Sequence, residues 1–406
     1  MHGIGTIGAN RDNALGEEAV LPDLAVAVAV VVGVACAYAG ARVLASYCGR
    51  SSRALDDTWD GLRRVHVAPT CRIGGIAVVF GVIAGAAVYW AIGGTPGRWL
   101  LLFVCAAPAF GWGLIEDLSK RGAVLPRLAL PAVAAALGFV LVDARITHLA
   151  LPVLDSLLAV HAASFLFTVF AVTGVTHAIN VIDGLNGLAG VSALFASIGL
   201  AIVAWIAGDP LVFSAACILA AGIAGFVPAN FPSGRIFLGD GGAYLVGFLL
   251  AELSVILVHR NTEVSPWFPL VLLAYPIWET LFSMARRRMR GHSSTAADAL
   301  HLHTLVFRRV VRWRGFSGKP ADQVARNSLA SLCLWILPTL CLAAALAFWD
   351  NSLALQACAG GFVILYAALY YPLVRFKVPP WLVIRATPTA APPDRLAASV
   401  TPEVRR

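Results

Sequence analysis

Eleven predominantly apolar stretches, each close to the length of a bilayer crossing, recur along this chain at about 21–47, 73–95, 99–116, 126–143, 158–178, 187–207, 211–229, 241–258, 266–285, 327–348 and 353–373. A hydrocarbon core takes roughly 20 helical residues to span. Backbone amides inside it must find partners within their own segment, so each stretch predicts a helix. With 59% hydrophobic and 13% charged residues and a mean hydropathy of +0.80, the chain lacks the charged surface a soluble domain of 406 residues would need. The expected fold is an all-α polytopic membrane protein with about 11 transmembrane helices. Its division would be a short external segment 1–20, a multi-helix domain 21–373 and a cytoplasmic, disordered tail 374–406 rich in Pro and Ala.

The formal charge of +8 raises nucleic acid as a partner. The placement of the basic residues argues against it. Of the 30 Lys and Arg, 25 fall in or beside alternate loops (48–72, 117–125, 179–186, 230–240, 286–326) and the tail, leaving Arg11, Arg98, Arg145 and Arg260 on the other side and Arg42 in the first block. That asymmetry is the signature of orientation in a membrane, with these loops and the C-terminus cytoplasmic and the N-terminus outside. The eight cysteines include no CxxC pair. Most lie inside apolar blocks and read as small buried hydrophobes, not as a disulfide frame or zinc site. The stretch 144–157 reads as a short extended loop.

The distinctive polar residues gather at the loop ends on the basic side, where carboxylates near hydrocarbon are costly and functional by default. His66 and Arg72 precede Gly74-Gly75 at the start of the second helix, where exposed amides can meet an anion. Interfacial packing is the alternative there. Glu116-Asp117 close the third helix, followed by Lys120, Arg121 and Arg127. Adjacent carboxylates beside cations suit a magnesium–phosphate site, although the pair could also simply end a helix. Asn180 and Asp183 share a helical face ahead of Gly184-Leu-Asn186-Gly187, a grouping able to grip a metal and a nucleotide base. Asn230 leads to Gly239-Asp240-Gly241-Gly242 at the start of the eighth helix. That makes Asp240 a candidate metal ligand beside an anion site, or else an N-cap. The longest basic loop carries Asp298, His301 and His303 before Arg308-Arg309. Without a third clear ligand, the imidazoles read as hydrogen-bond donors to a pyrophosphate.

Taken in order, these five loops resemble the polyprenyl-phosphate N-acetylhexosamine-1-phosphate transferases (glycosyltransferase family 4, relatives of the phospho-N-acetylmuramoyl-pentapeptide transferases) over roughly residues 50–310. His66, Pro69, Arg72, Gly74 and Gly75 resemble the first-loop pattern. Asn180, Asp183, Gly184 and Gly187 resemble Asn-x-x-Asp-Gly-x-Asp-Gly, and Asp298, His301 and His303 resemble the histidine loop. Two departures stand out: Glu116 in place of a first aspartate, and Asn186 in place of the second aspartate of Asp-Gly-x-Asp.

The resemblance implies transfer of an N-acetylamino-sugar 1-phosphate from a UDP-sugar to polyprenyl (undecaprenyl) phosphate, releasing UMP, as the initiating step of cell-envelope polysaccharide synthesis. It implies Mg2+, with Mn2+ as the alternative, on Asp240 and Asp183. Asp117, Glu116 and Asp183 would be catalytic, and Asn180, Asn186, Asn230 and Gly184 would hold the nucleotide sugar. Lys120, His301, His303, Arg309, His66 and Arg72 would hold phosphates. The implied setting is the bacterial cytoplasmic membrane with the site facing the cytoplasm; nucleic acid is not expected as a partner, and a homodimer is compatible. The rival is a transporter or flippase of an anionic glycolipid or nucleotide sugar. Such a protein keeps polar sites near mid-membrane, whereas the middles of these blocks are almost clean. A non-catalytic scaffold is the third reading, resting on Glu116 and Asn186.

Overall fold

The computed structural model describes residues 8–48, 55–56, 70–120, 123–289, 291, 300–313, 320–377 and 383–386. Helices dominate: α1 Gly8–Cys48, α2 Gly75–Ala91, α3 Gly97–Ser119, α4 Val124–Leu141, α5 Pro152–Leu158, α6 His161–Val181, α7 Leu188–Ile206, α8 Pro210–Asn230, α9 Gly239–Arg260, α10 Trp267–Leu272, α11 Ala274–Met289, α12 Leu302–Leu305, α13 Pro320–Leu334, α14 Ile336–Ala347 and α15 Ser352–Val374. A π-helical turn, Val306–Val310, continues α12. Among the described residues, nine helical stretches are long and apolar enough to cross a membrane, counting α13 and α14 together, and α2 is a shorter apolar helix. The chain is an all-α polytopic membrane protein.

Two apolar blocks are broken, and proline explains both breaks. Pro276 has no N–H to offer the carbonyl of Leu272, and the 266–285 block divides at Leu273 into α10 and α11. Pro338 stands in the same relation to Leu334, and the break falls at Trp335 between α13 and α14. Hydrogen bonding resumes immediately, through Ile277 N to Leu273 O and Thr339 N to Trp335 O.

Two expectations are corrected and one disulfide is added. The stretch 144–157 is not wholly extended, because its last residues form α5. There the Asp155 carboxylate accepts from Leu149 N (2.6 Å) and Leu151 N (3.0 Å), folding the chain back over the start of that helix. The six cysteines inside apolar blocks are free, as expected, and Cys48, the last residue of α1, is disulfide-bonded to Cys71, a pairing the sequence did not single out. The segment after 373 is ordered in part, since β4 (Ile384–Ala386) pairs in parallel with β3 (Val311–Trp313). Residues 387–406 lie outside the described set. Two further short strands, β1 (Leu55–Asp56) and β2 (Thr70–Cys71), pair antiparallel.

Helix α9 is the axis of the bundle, with 89% of its apolar window buried. α3, α6, α2, α7 and α8 all pack on it, while α1 lies outside α2 and α8. Glycines allow that crowding at the end where the polar motifs lie. A Cβ on Gly113 of α3 would sit 2.5 Å from Gly241 N and 2.6 Å from the Asp240 carbonyl carbon, closer than side chains come to backbone. Contact this tight has no room to relax. Gly113→Val should therefore destabilise the detergent-extracted protein by about 1–3 kcal/mol, read as a lowered thermal midpoint. Gly174→Ala, where a Cβ meets nothing within 4 Å, should leave the midpoint unchanged.

Candidate active site

The first amides of α9 organise the site. A helix begins with N–H groups that have no partner in their own helix, and the residue preceding α9, Leu238, supplies no side-chain cap. Carboxylates from two distant segments take that place. Asp117, near the end of α3, accepts from Asp240 N through Oδ1 and from Gly241 N through Oδ2, both at 2.9 Å. Asp183, in the turn after α6, accepts from Gly239 N at 3.3 Å. Negative charge is favoured at this end by the helix dipole as well. Gly239 adopts φ +73°, and a Cβ there would overlap the Arg72 carbonyl, so the turn into the helix demands glycine.

Asp240 carries the next layer. Its Oδ1 accepts from Asn180 Nδ2 at 2.7 Å and lies 3.5 Å from an Arg72 guanidinium nitrogen. Asp117, Asp183 and Asp240 thus converge on three consecutive residues, with Arg72 and Asn180 between them. Asp183 keeps some solvent access, but enclosure by protein pushes its carboxyl up to about 7, against the opposing pull of Arg72 and the Gly239 amide. Asp117 and Asp240 are therefore at one end of the bundle, as the loop motifs require.

The segment carrying Arg72 is held to α9 by backbone bonds. Phe237 N donates to Cys71 O (2.7 Å), Gly74 N to Phe237 O (2.8 Å) and Gly75 N to Leu238 O (2.9 Å). On the far side, His303 is buried, and its Nε2 would lie 2.7 Å from a Cβ on Gly184, the residue after Asp183. The histidine loop and the Asp183 turn therefore meet.

Other expected site residues occupy supporting positions. Glu116 is buried and engaged by Arg127, through Nε at 3.2 and 3.3 Å and a terminal nitrogen at 3.1 Å. It ties the end of α3 to the start of α4. Asn230 spends its side chain on backbone, taking Gly187 N (2.6 Å) and giving to Ile236 O (2.7 Å). Asn186 is buried and donates to Pro232 O (2.9 Å) and Ser328 Oγ (3.1 Å), while its own amide N–H goes to Asn327 Oδ1 (2.8 Å). Both asparagines brace the loops behind the aspartates. Lys120 is exposed and ends α3 in the left-handed conformation, φ 55°. Arg309 turns to the end of α15, bonding Leu373 O and lying 3.7 Å over the Phe376 ring. His66, Pro69 and Asp298 lie outside the described residues.

One buried carboxylate beside the histidine loop escaped the sequence reading. Glu279 is fully buried in α11 and bonded to His301, Leu302 and Tyr366. The available signal was a carboxylate inside an apolar block. Asn327 and Ser328 offered no such signal.

Hard carboxylate oxygens at an anion-favouring helix end match what magnesium takes: one or two protein carboxylates, with water and substrate phosphate completing the sphere. Among the described residues no three His, Cys, Asp or Glu side chains converge as a protein-only metal cage, and such a magnesium site does not call for one. The donor set fits.

A family model described as Glycosyl transferase family 4 matches residues 99–258, the stretch holding Asp117, Asn180, Asp183, Asn230 and Asp240. A Bacillus subtilis protein named "Probable undecaprenyl-phosphate N-acetylglucosaminyl 1-phosphate transferase" is 29% identical over 248 residues, 59% of this chain and 66% of that protein. The decaprenyl-phosphate N-acetylglucosaminephosphotransferase of Mycobacterium leprae is 28% identical over 273 residues, 59% of this chain and 67% of that protein. A Thermotoga maritima undecaprenyl-phosphate alpha-N-acetylglucosaminyl 1-phosphate transferase is 31% identical over 96 residues, 24% of this chain and 32% of that protein. The chain thus spans just under two thirds of the Bacillus relative and about one third of the Thermotoga one. Residues 99–258, which bring together the three aspartates at the start of α9, are thus similar to glycosyl transferase family 4.

Proposed function

We propose that this protein transfers N-acetylglucosamine 1-phosphate, or a closely related amino-sugar phosphate, from its UDP derivative to a polyprenyl phosphate, releasing UMP. The observation that carries this reading is the convergence of Asp117, Asp183 and Asp240 on the first amides of α9, with Arg72 beside them. The names of the relatives support the acceptor and the sugar.

In this reading an oxygen of the lipid phosphate attacks the β-phosphorus of the nucleotide sugar. The bond from that phosphorus to the bridging oxygen breaks, and UMP carries the electron pair away. A phosphate monoester is already largely ionised at neutral pH, so the protein's task is placement more than proton removal. Asp240 and Asp183 would hold Mg2+, which supplies neutralising charge to the diphosphate. Arg72 approaches the same carboxylate and adds positive charge at the site's edge. Asp117, with both oxygens on backbone amides, keeps the helix end aimed at the phosphates. Asn180 holds Asp240 in place, a role upstream of any contact with the nucleotide. The setting would be the bacterial cytoplasmic membrane with the site on the cytoplasmic side, where a water-soluble nucleotide sugar meets a lipid-borne acceptor. The product lipid would begin an envelope glycan.

Membranes containing the protein, given labelled UDP-N-acetylglucosamine, polyprenyl phosphate and Mg2+, should release UMP and form a labelled glycolipid, and chelation should stop both. Asp240→Asn should lower UMP release by on the order of 100-fold or more; full magnesium-dependent activity in that variant would refute the metal assignment.

Protons and the cation compete for Asp183. Its carboxyl, raised to about 7, holds a proton below that value and is open to a cation above it. The magnesium concentration for half-maximal activity should therefore rise as pH falls from about 8 to about 6. A titration with no pH dependence over that range would contradict this.

A further inference from the structure

Glu279 has no part in the scheme so far, yet it is one of the most completely satisfied carboxylates in the protein. It lies in α11 and is fully buried. Oε1 accepts from Leu302 N at 3.1 Å and meets His301 Nδ1 at 3.0 Å, and Oε2 accepts from Tyr366 OH at 2.8 Å. Leu302 N and the tyrosine hydroxyl both donate, and a carboxylate receiving them makes Nδ1 the protonated nitrogen of His301, with Ser283 Oγ 3.2 Å from the same nitrogen as a second acceptor. A second proton, on Nε2, is what would let this ring donate to an anion.

The surroundings repeat the same purpose. His301 stacks on His303 with ring centroids 5.3 Å apart and planes within 6°, and His303 abuts Gly184 beside Asp183. Arg286, seven residues along α11 from Glu279, donates to Leu300 O and to Tyr370 OH. Tyr366 and Tyr370 stack on each other along α15. Residues 300–303 are thus clamped from α11 and α15, two helices outside the segment that the family model matches. Burying a carboxylate is expensive and is weakly justified by stability alone. Carboxylates behind imidazoles that bind charged ligands serve to fix ring orientation and basicity.

We propose that Glu279 is a positioning residue of the transferase site: acting through His301, and held in turn by Tyr366, it fixes the imidazole that meets the donor diphosphate. The proposal rests on the phosphotransfer reading above. His301 would be the contacting group, and Glu279 would never touch substrate. An orienting group of this kind matters most where charge develops on the departing phosphate, so its removal should appear in kcat more than in KM.

Glu279→Gln should lower kcat for UMP release by about 10- to 100-fold, with KM for the UDP-sugar changed by less than about threefold. Tyr366→Phe keeps the ring in place and should shift kcat in the same direction by a smaller factor. It also keeps the test running if the glutamine variant does not accumulate in membranes. On a His301→Asn background, Glu279→Gln should cost no more than about a further twofold, because the group it acts through is gone. Equal losses on both backgrounds, or a change confined to KM, would overturn the proposal. A substrate-independent arm separates this idea from the activity itself. In protein carrying 15N-labelled histidine, the Nδ1-protonated signal that disappears in His301→Asn should move in Glu279→Gln and Tyr366→Phe. Failure of the wild type to release UMP would defeat the phosphotransfer reading. An unmoved His301 signal would defeat the role of Glu279 whatever the activity.

Discussion

Both oxygens of Asp117 rest on the opening amides of α9, and most of the site follows from that contact. Leu238, at the position before the helix, cannot cap it. The missing acceptors arrive from α3 and from the turn after α6, more than 50 residues away in sequence. Helix start and assembled bundle therefore require each other. The same amides that would be an energetic liability in a membrane become the platform on which Asp183, Asp240 and Arg72 are placed.

The far end of α9 is secured as firmly. Asp209 caps α8 through Leu211 N and Val212 N, both at 3.1 Å, and its other oxygen takes Arg260 Nε at 2.6 Å. With its first turn gripped by Asp117 and its last residue gripped by Asp209, α9 behaves as a strut fixed at both ends. Sites carried on rigid elements of this kind hold their geometry better than sites carried on loops.

Much of this was readable beforehand because membranes make polar residues conspicuous. All eleven apolar blocks contain helix, though two are broken and nine stretches among the described residues are long and apolar enough to span. Asp117, Asp183, Asp240, Arg72 and Asn180 come together as their loop positions suggested. What stayed hidden depends on contacts between distant segments, which spacing does not encode. Asn186 and Asn230 look like ligand-binding amides in a motif, but in three dimensions their hydrogen bonds go to Pro232, Ser328, Gly187 and Ile236. Glu279 acquires meaning only beside His301, 22 residues later, and Tyr366, in another helix. The breaks at Leu273 and Trp335 were within reach, since Pro276 and Pro338 stand at the right offset, but a tally of apolar residues passes over them.

Glu252 adds a different kind of constraint. It is buried midway along α9, and neither carboxyl oxygen has a hydrogen-bond partner among the described residues; both lie against the place where a side chain on Gly138 of α4 would be. The acid fills the notch that the glycine leaves. A larger residue at 138 has nowhere to go while glutamate stands at 252, and a smaller residue at 252 opens a void that glycine cannot fill. The two positions are sterically coupled, so the size of the side chain at one limits what the other can hold.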